Sequence, residues 1–248
     1  MWLRPIIRGG ADARGVYTRR VFATVPPPPQ RLLIFARLPE RGRVKSRLAA
    51  TIGADRALAV YEAMLRDVLA AVGAPRPETE VEVLWAPTSR ANGVTLREAF
   101  GDLPTAMQTG ADLTDRLAMA FAERFFFHKT RKIIAIGVDD PSIPGELIEH
   151  AFALLDSCEY VVGPAEDGGY YLFGCRALSF DPAVFRNIAW GSDKVFTQTR
   201  DHIATMQRTV AVLPRRYDID TEADLMRYTG DVNAGAVAAL MNADDSTT

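Results

Sequence analysis

The sequence has few of the residues and patterns that build disulfide frameworks, zinc sites or membrane spans. Its 248 residues include two cysteines, Cys158 and Cys175, whose spacing fits no common zinc-ligand pattern. We expect both to be buried, reduced thiols, as is usual in a cytoplasmic protein. No uninterrupted apolar run approaches the ~18 residues that a membrane-spanning helix needs, so no membrane span is predicted.

The sequence also lacks a charge excess and a hydrolase signature. Lys and Arg number 29 against 31 Asp and Glu, a formal net charge of −2, which gives no general attraction to nucleic acid. The three histidines have no partner motif, and no serine lies in the G-x-S-x-G turn of the α/β-hydrolases. A nucleotide would therefore have to be held by a local cluster of basic residues.

Composition and length predict one globular domain between an Arg/Pro-rich leader and a short polar tail. The 48% hydrophobic and 24% charged residues are ordinary for a globular protein, and this length fits one α/β domain. Residues 1–30 hold five arginines and one acid and end in a four-proline run, which favours an extended shape. We expect 1–30 to be a disordered or non-core leader, 31–242 the domain and 243–248 a polar tail.

Apolar runs alternate with helical periodicity from residue 31 onward. Strands are predicted at 32–36, 81–85, 133–136, 160–162, 170–173 and 209–213. Helices are predicted at 54–72, 112–125, 145–156, from about 192, at 221–229 and at 233–241. This alternation is typical of an α/β three-layer sandwich with a mostly parallel sheet, which binds ligands beyond the carboxyl ends of its strands.

The segment after the first predicted strand is basic. Residues 37–48 contain five bases, one acid and Gly42 in a strand-to-helix loop, where backbone N–H groups can turn toward phosphate. The ammonium group of Lys45 is a compact positive charge that suits phosphate. The guanidinium group of Arg47 can donate two parallel hydrogen bonds to phosphate oxygens. The segment is not a Walker loop, and the alternative is a solvated basic loop.

Acids follow two other predicted strands. Asp139 and Asp140 come directly after the central strand, and carboxylate oxygens are the ligands that magnesium prefers. We predict Asp139 as a metal ligand and Asp140 as a helix cap or a neighbour. Asp218 and Asp220 alternate in an extended stretch and so point the same way, although Asp220 or Thr221 would also suit a helix cap.

A glycine pair and a tryptophan complete the candidate set. Glu166 and Asp167 precede Gly168 and Gly169, and the alternative to a ligand loop is a plain hairpin, since Asp-Gly is a strong turn signal. Trp190 suits stacking on a sugar or base, or packing. Ser192, two residues on, is a good helix N-cap.

Together these motifs resemble a known bacterial family. The match comprises Phe35-Ala36-Arg37, Gly42-x-Val-Lys45-x-Arg47-Leu48, Gln108-x-Gly110-x-Asp112-Leu113-x-Asp115-Arg116-Leu117, Gly137-x-Asp139-x-Pro141, residues 163–171, Trp190-Gly191-Ser192 and Asp218-Ile-Asp220-Thr221. Order and spacing resemble the GT-A-like proteins usually described as glycosyltransferases of uncharacterised function. That family is similar to the 2-phospho-L-lactate guanylyltransferases and, more distantly, to the molybdenum cofactor guanylyltransferases. The resemblance covers about residues 31–230.

The resemblance implies a nucleotide-diphospho-sugar transferase fold that uses Mg²⁺ or Mn²⁺. It implies that Lys45 and Arg47 face the nucleotide phosphates and that Asp139 is the metal aspartate. With the residues themselves, we predict catalytic roles for Lys45, Arg47, Asp139, Glu166 and Asp167, and a metal held by Asp139, Asp218 and Asp220. The predicted nucleotide-binding residues are Ala36, Arg37, Gly42, Lys45, Arg47, Gln108, Asp112, Arg116, Gly168 and Gly169. The predicted acceptor-binding residues are Tyr170, Trp190, Gly191 and Ser192.

Three functions follow from this reasoning. The first is nucleotidylyl transfer, in which a small phosphorylated or hydroxylated molecule attacks the α-phosphate of a nucleoside triphosphate. The second is glycosyl transfer from a nucleotide-sugar to a small-molecule acceptor, with an acid such as Glu166 or Asp167 as base. The third is a non-catalytic nucleotide-binding module. The sequence does not fix the oligomeric state, and a dimer is compatible with it.

Overall fold

The computed structural model describes residues 29–73, 76–87, 103–232 and 234–245, in which strands and helices alternate. The strands are β1 (Gln30–Ala36), β2 (Thr79–Trp85), β3 (Thr105–Met107), β4 (Lys132–Ile136), β5 (Tyr160–Pro164), β6 (Tyr170–Arg176) and β7 (Val210–Val212). The helices are α1 (Ser46–Ile52), α2 (Ala54–Val72), α3 (Leu113–Phe126), α4 (Gly145–Leu154), α5 (Val195–Thr205), α6 (Glu222–Asp231) and α7 (Ala236–Asp245). Two short 3₁₀ turns, Ala177–Ser179 and Pro182–Phe185, follow β6.

The strands form one sheet in the order β3-β2-β1-β4-β6-β5-β7. Strand β1 lies parallel to both β2 and β4, and the β2–β3 and β5–β7 pairs are also parallel. Strand β6 runs antiparallel to both of its neighbours, β4 and β5. The predicted α/β fold with a mostly parallel sheet is therefore confirmed.

Helices cover both faces of the sheet, because successive residues of a strand point to opposite sides. Leu32 and Ile34 of β1 lie in one buried cluster with Val68 of α2. Leu33 points the other way and lies in a second cluster with Phe121 of α3. A third cluster, around Ile219, joins α1, α2, α6 and α7 at the carboxyl edge of the sheet. This arrangement explains why β1 reads as a continuous apolar run rather than an alternating one.

Several predicted boundaries need correction. The helix expected from about Ser192 begins at Val195, so Ser192 is not its N-cap. Helix α1 and strand β3 were not predicted, and α7 runs through Asp245 into the predicted tail. Cys175 is buried, but Cys158 is only half-buried; both are free thiols. Residues 1–28 and 246–248 lie outside the described part of the chain, and the domain limits stay a prediction.

No helix in the described ranges has both the length and the apolar character needed to cross a membrane.

Candidate active site

A cleft of about 470 Å³ opens at the carboxyl ends of β1, β2 and β4. The chain leaves these strands at Arg37, Ala86 and Gly137, and the loop before α6 adds Asp220. Of the residues predicted to bind nucleotide, those that line the cleft are Ala36, Arg37, Lys45, Arg47, Gln108 and Arg116. Parallel strands place their carboxyl ends at one edge, which is why residues far apart in sequence meet there.

Lys45 joins two of the three acids that were predicted as metal ligands, Asp139 and Asp220. Its side chain is 3% exposed, and its Nζ donates to Asp139 and, at 3.0 Å, to Oδ1 of Asp220. Arg47 pairs with the other oxygen of Asp220. Burial disfavours the ammonium ion, but the charges of Asp139 and Asp220 outweigh burial and raise the pKa of Lys45. Lys45 is therefore a fixed cation at neutral pH.

The backbone of Lys45 is strained in the same place. Its φ of 46° and ψ of 52° are left-handed, immediately before α1 begins at Ser46. A non-glycine residue in this region costs about 1–2 kcal/mol, and such outliers gather at functional sites. The conformation aims the side chain back toward the sheet, where its two carboxylate partners offset the cost.

Burial and the negative charges of neighbouring carboxylates act on Asp218 and raise its pKa. Burial, followed by the charges of Asp139 and Asp167, raises the pKa of Asp218 to about 8, although Lys45 acts in the opposite direction. Four carboxyl groups, counting Asp220, thus converge at one end of the sheet. An added cation would relieve their mutual repulsion.

The carboxylates fit a divalent metal only in part. In the described ranges no three Asp, Glu, His or Cys side chains are grouped closely enough to hold an ion by themselves. Asp139 and Asp220 do present oxygens to one common point, now shared with Lys45. Magnesium usually takes one or two protein carboxylates and completes its shell with water and phosphate oxygens, so this pair suits a metal that arrives with a nucleotide.

Three arginines line the outer part of the cleft. Arg37, Arg43 and Arg116 line both the cleft and an adjoining cavity of about 210 Å³. Arg43 lies 3.8 Å from Glu40, too far for a hydrogen bond, and Arg116 donates to the carbonyl of Gly110 at 3.3 Å. Arg43 was not singled out from the sequence, where it is one of five bases in the loop. Its position becomes evident only when the loop folds over the cleft.

Two buried polar side chains hold the walls of the cleft. The Tyr61 hydroxyl accepts from the backbone N–H of Arg37 at 2.8 Å and donates to its carbonyl at 2.9 Å. The Gln108 amide donates to the carbonyl of Leu84 at 2.7 Å. Tyr61 was missed because its place on the apolar stripe of α2 is that of an ordinary core residue.

A second chamber, of about 210 Å³, adjoins the cleft on the other side of Gly137. All four predicted acceptor residues line it, together with Asp167, Asp218 and Gly169; the four are Tyr170, Trp190, Gly191 and Ser192. The Trp190 N–H donates to Thr114 Oγ1 at 2.8 Å, and its ring meets that of Tyr170 edge-on at 6.0 Å. Trp190 is thus both packed and exposed to the chamber.

Gly168 does not line the chamber but shapes its wall. Its φ is +90°, and a Cβ there would overlap the backbone of Asp193. Its carbonyl accepts from the N–H of Phe196 at 2.9 Å. The glycine therefore lets the loop after β5 lie directly against the segment that precedes α5, which no plain hairpin requires.

Three further predicted residues line neither the cleft nor the chamber. Glu166 is exposed, pairs with Arg227 at 2.7 Å and lines neither the cleft nor the chamber. Asp112 caps α3 by accepting from the N–H of Asp115 at 2.9 Å. Gly42 has open space around it.

Asp140 is an ion-pair residue rather than a helix cap. It is buried, pairs with Arg216, and accepts from the Ser142 hydroxyl at 2.8 Å, whereas α4 begins only at Gly145. Helix α6 is capped by Thr221, in a reciprocal box with Asp224, so Asp220 does not serve as the cap and faces the cleft. These local contacts hold Asp139 and Asp220 in place.

This fold and site define the class of GT-A-like nucleotide-diphospho-sugar transferases. Within that class, the chain belongs to a family of uncharacterised proteins conserved in bacteria (DUF2064), whose model matches residues 68–192. A candidate nucleotide-diphospho-sugar transferase from Desulfovibrio desulfuricans G20 is 30% identical, over 88% of this chain and 95% of its own, with a TM-score of 0.81. A comparison with curated proteins gives no match.

More distant structures share the fold alone. A cytidylyltransferase from Leptospira borgpetersenii aligns over 88% of this chain and 94% of its own, with 13% identity and a TM-score of 0.53. The 4-diphosphocytidyl-2C-methyl-D-erythritol synthase of Anaerococcus prevotii aligns over 83% of this chain and 98% of its own, with 10% identity and a TM-score of 0.53.

Proposed function

We propose that this protein is a metal-dependent nucleotidylyltransferase, which joins the nucleoside monophosphate part of a nucleoside triphosphate to a small acceptor and releases pyrophosphate. The observation that carries the proposal is the charge of the cleft. Five cationic side chains line it, against the two carboxylates Asp139 and Asp220; the cations are Arg37, Arg43, Lys45, Arg47 and Arg116. The lining thus has three more positive than negative charges.

This excess favours a triphosphate over a nucleotide-sugar. A nucleoside triphosphate carries roughly two more negative charges than a nucleoside diphospho-sugar, because its terminal phosphate is free. A bound divalent cation neutralises two charges of either ligand. The triphosphate complex would still be an anion and the nucleotide-sugar complex nearly neutral, so only the first matches three surplus cations.

The relatives support the same class of chemistry. The Desulfovibrio protein is described as a candidate nucleotide-diphospho-sugar transferase, which covers both nucleotidylyl and glycosyl transfer. The more distant neighbours, a cytidylyltransferase and a 4-diphosphocytidyl-2C-methyl-D-erythritol synthase, support the fold only. The choice between the two reactions therefore rests on the cleft.

In this proposal the protein mainly positions groups and neutralises charge. The three arginines hold the outer phosphates, and Arg47 neutralises charge near the α-phosphate. Asp139 and Asp220 would hold the divalent metal, with Asp218 as a third carboxyl group nearby. When bound, the metal would act as a Lewis acid on the phosphate oxygens.

The acceptor would approach from the chamber, on the far side of Gly137 from the arginines. Asp167 lines that chamber, is exposed and accepts from the N–H of Gly169 at 2.8 Å. This contact fixes the carboxylate where it can take the proton of an attacking hydroxyl group. Glu166 has no part in the proposal, because its pairing with Arg227 holds it outside both cavities.

The test is a product analysis with each nucleoside triphosphate and each common nucleotide-sugar, Mg²⁺ or Mn²⁺, and a pool of cell metabolites. Mass spectrometry would follow the nucleotide products. We expect metabolite-dependent pyrophosphate release that disappears in Asp139→Asn. Release of nucleoside diphosphate from a sugar donor, without pyrophosphate, would instead identify a glycosyltransferase.

A binding measurement tests whether the positive charge of the cleft selects the triphosphate. Arg43→Gln should weaken binding of the triphosphate about tenfold and that of a nucleotide-sugar much less, since a charge-assisted contact is lost only from the former. Arg41→Gln is the matched control, because Arg41 lies on the same loop but pairs with Asp55 and does not line the cleft. Equal losses for both ligands in Arg43→Gln would contradict the proposal.

A further inference from the structure

We propose that the acceptor is an uncharged, hydroxyl-bearing molecule with an apolar face, and that no phosphate group enters the chamber beside Trp190. This inference rests on the proposed function and specifies its second substrate. It excludes phosphate monoesters, a class that the sequence leaves open.

The walls of the chamber are mostly apolar. Phe35, Leu117, Tyr170, Trp190 and Val195 contribute rings and aliphatic carbons around about 210 Å³. This volume is below the ~300 Å³ at which ligand pockets usually begin, so it suits one ring or a short chain.

The exposed surface of Trp190 adds to this apolar character. Its indole N–H is already used by Thr114 at 2.8 Å, so a ligand in the chamber meets ring carbon rather than a hydrogen-bond donor. Aromatic carbon surfaces pack well against other rings and against the C–H face of a cyclic polyol.

The described lining of the chamber has acidic side chains and no basic ones. Asp167 contributes an exposed carboxylate and Asp218 a carboxyl group, and none of the lining residues is Lys, Arg or His. The cleft on the other side of Gly137 has the reverse balance, with five cations. A phosphate in the chamber would face the carboxylate of Asp167, and no lining cation would compensate its charge. The apolar walls lower the local dielectric constant and so strengthen this repulsion.

The same groups suit a hydroxyl nucleophile. The hydroxyl oxygen would form the new bond to the α-phosphorus, the bond from that phosphorus to the pyrophosphate oxygen would break, and the hydroxyl proton would pass to Asp167. Pyrophosphate would leave among the arginines of the cleft. The product would be a phosphodiester, and no oxidant or further reactant is needed.

The experiment compares matched pairs of ligands with the full chain: benzyl alcohol, myo-inositol and glucose, each beside its phosphate monoester. Binding would be followed by quenching of Trp190 fluorescence, with Trp190→Phe as the control for signal from the other tryptophans. We expect at least one alcohol to bind at least tenfold more tightly than its monoester. Tighter or equal binding of the monoesters, or no binding by any alcohol, would overturn the inference.

A charge introduced into the chamber gives a second readout. Ser192 lines the chamber and is half-buried, so Ser192→Lys should place an ammonium group there and improve monoester binding about tenfold. Ser192→Gln, of similar length but neutral, should not. Improvement in both variants, or in neither, would contradict the assigned charge preference.

These titrations do not depend on turnover. Failure of the proposed function would appear as absent triphosphate binding or absent pyrophosphate release, whatever the preference between alcohol and monoester. Failure of the acceptor inference would appear as a preference for the monoesters while the triphosphate still binds in the cleft.

Discussion

Replacing Gly168 by alanine would test how the two loops beside the Trp190 chamber are held together. Gly168 has a φ of +90°, and an added Cβ would overlap the carbonyl oxygen, Cα and C of Asp193. These are backbone atoms and cannot rotate away as the end of a side chain can. The loop after β5 and the segment before α5 would therefore have to separate.

The expected loss of folding stability in Gly168→Ala has two contributions. The left-handed backbone costs an alanine about 1–2 kcal/mol, and relief of an overpacked contact typically costs about 1–3 kcal/mol more. Gly191→Ala supplies the matched control, because Gly191 lines the same chamber with a φ of +80° but has no atom within 4 Å of an added Cβ. Gly191→Ala should therefore show only the backbone contribution to the loss of stability.

The assay is urea denaturation of both variants beside the natural protein, with thermal unfolding as a second measure. We expect Gly168→Ala to be about 1–3 kcal/mol less stable than Gly191→Ala, which corresponds to roughly 2–12 °C in melting temperature for a chain of this size. Equal losses in the two variants would show that the close approach to Asp193 does not constrain the loops.

Three further perturbations have defined outcomes. Tyr61→Phe removes both hydrogen bonds to the Arg37 backbone and should cost about 1–2 kcal/mol in urea denaturation; an unchanged midpoint would contradict that role. Lys45→Met should raise the Mn²⁺ affinity of the nucleotide-free protein about tenfold, measured by electron paramagnetic resonance, because two carboxylates lose their cation; unchanged affinity would separate Lys45 from the metal ligands. The hydrogen bond from the Thr209 N–H, and then contacts with neighbouring side chains, lower the pKa of Glu159 to about 2. Its stabilisation is present above the ordinary value of 4.5 and is lost as pH falls toward 2. Glu159→Gln should therefore lower stability at pH 7 and make little difference near pH 2, whereas an equal loss at both would refute the assignment.

Local patterns were sufficient to predict most of the fold. The apolar run at β1 predicted a strand buried on both faces, and the structure places helices on both sides of it. The three-residue strand β3 was not predicted, because a segment so short carries no periodicity. The direction of β6 could not be inferred either, since side-chain alternation is the same in parallel and antiparallel strands.

The positions of the candidate site residues follow from local pattern in some cases and from distant partners in others. Acids at the carboxyl end of a buried strand predicted that Asp139 faces a cleft, and it does. The adjacent Asp140 has the same local pattern but turns inward to Arg216, a partner far along the chain. Glu166 and Asp167 are likewise adjacent, and only Asp167 lines the chamber. Both pairs lie in loops, where the direction of a side chain depends on partners far along the chain, so the local pattern does not distinguish the two members of a pair.

The ion pairs of Lys45 could not be predicted from the sequence either. The sequence predicts that Lys45 binds phosphate and that Asp139 and Asp220 bind metal, each from a different loop. The fold places the ammonium group between the two carboxylates. In the proposed reaction, a metal ion and Lys45 would therefore compete for the same oxygens until a nucleotide brings phosphates to accept the displaced ammonium group. Metal and nucleotide would then bind cooperatively, because each relieves the charge that the other leaves unpaired.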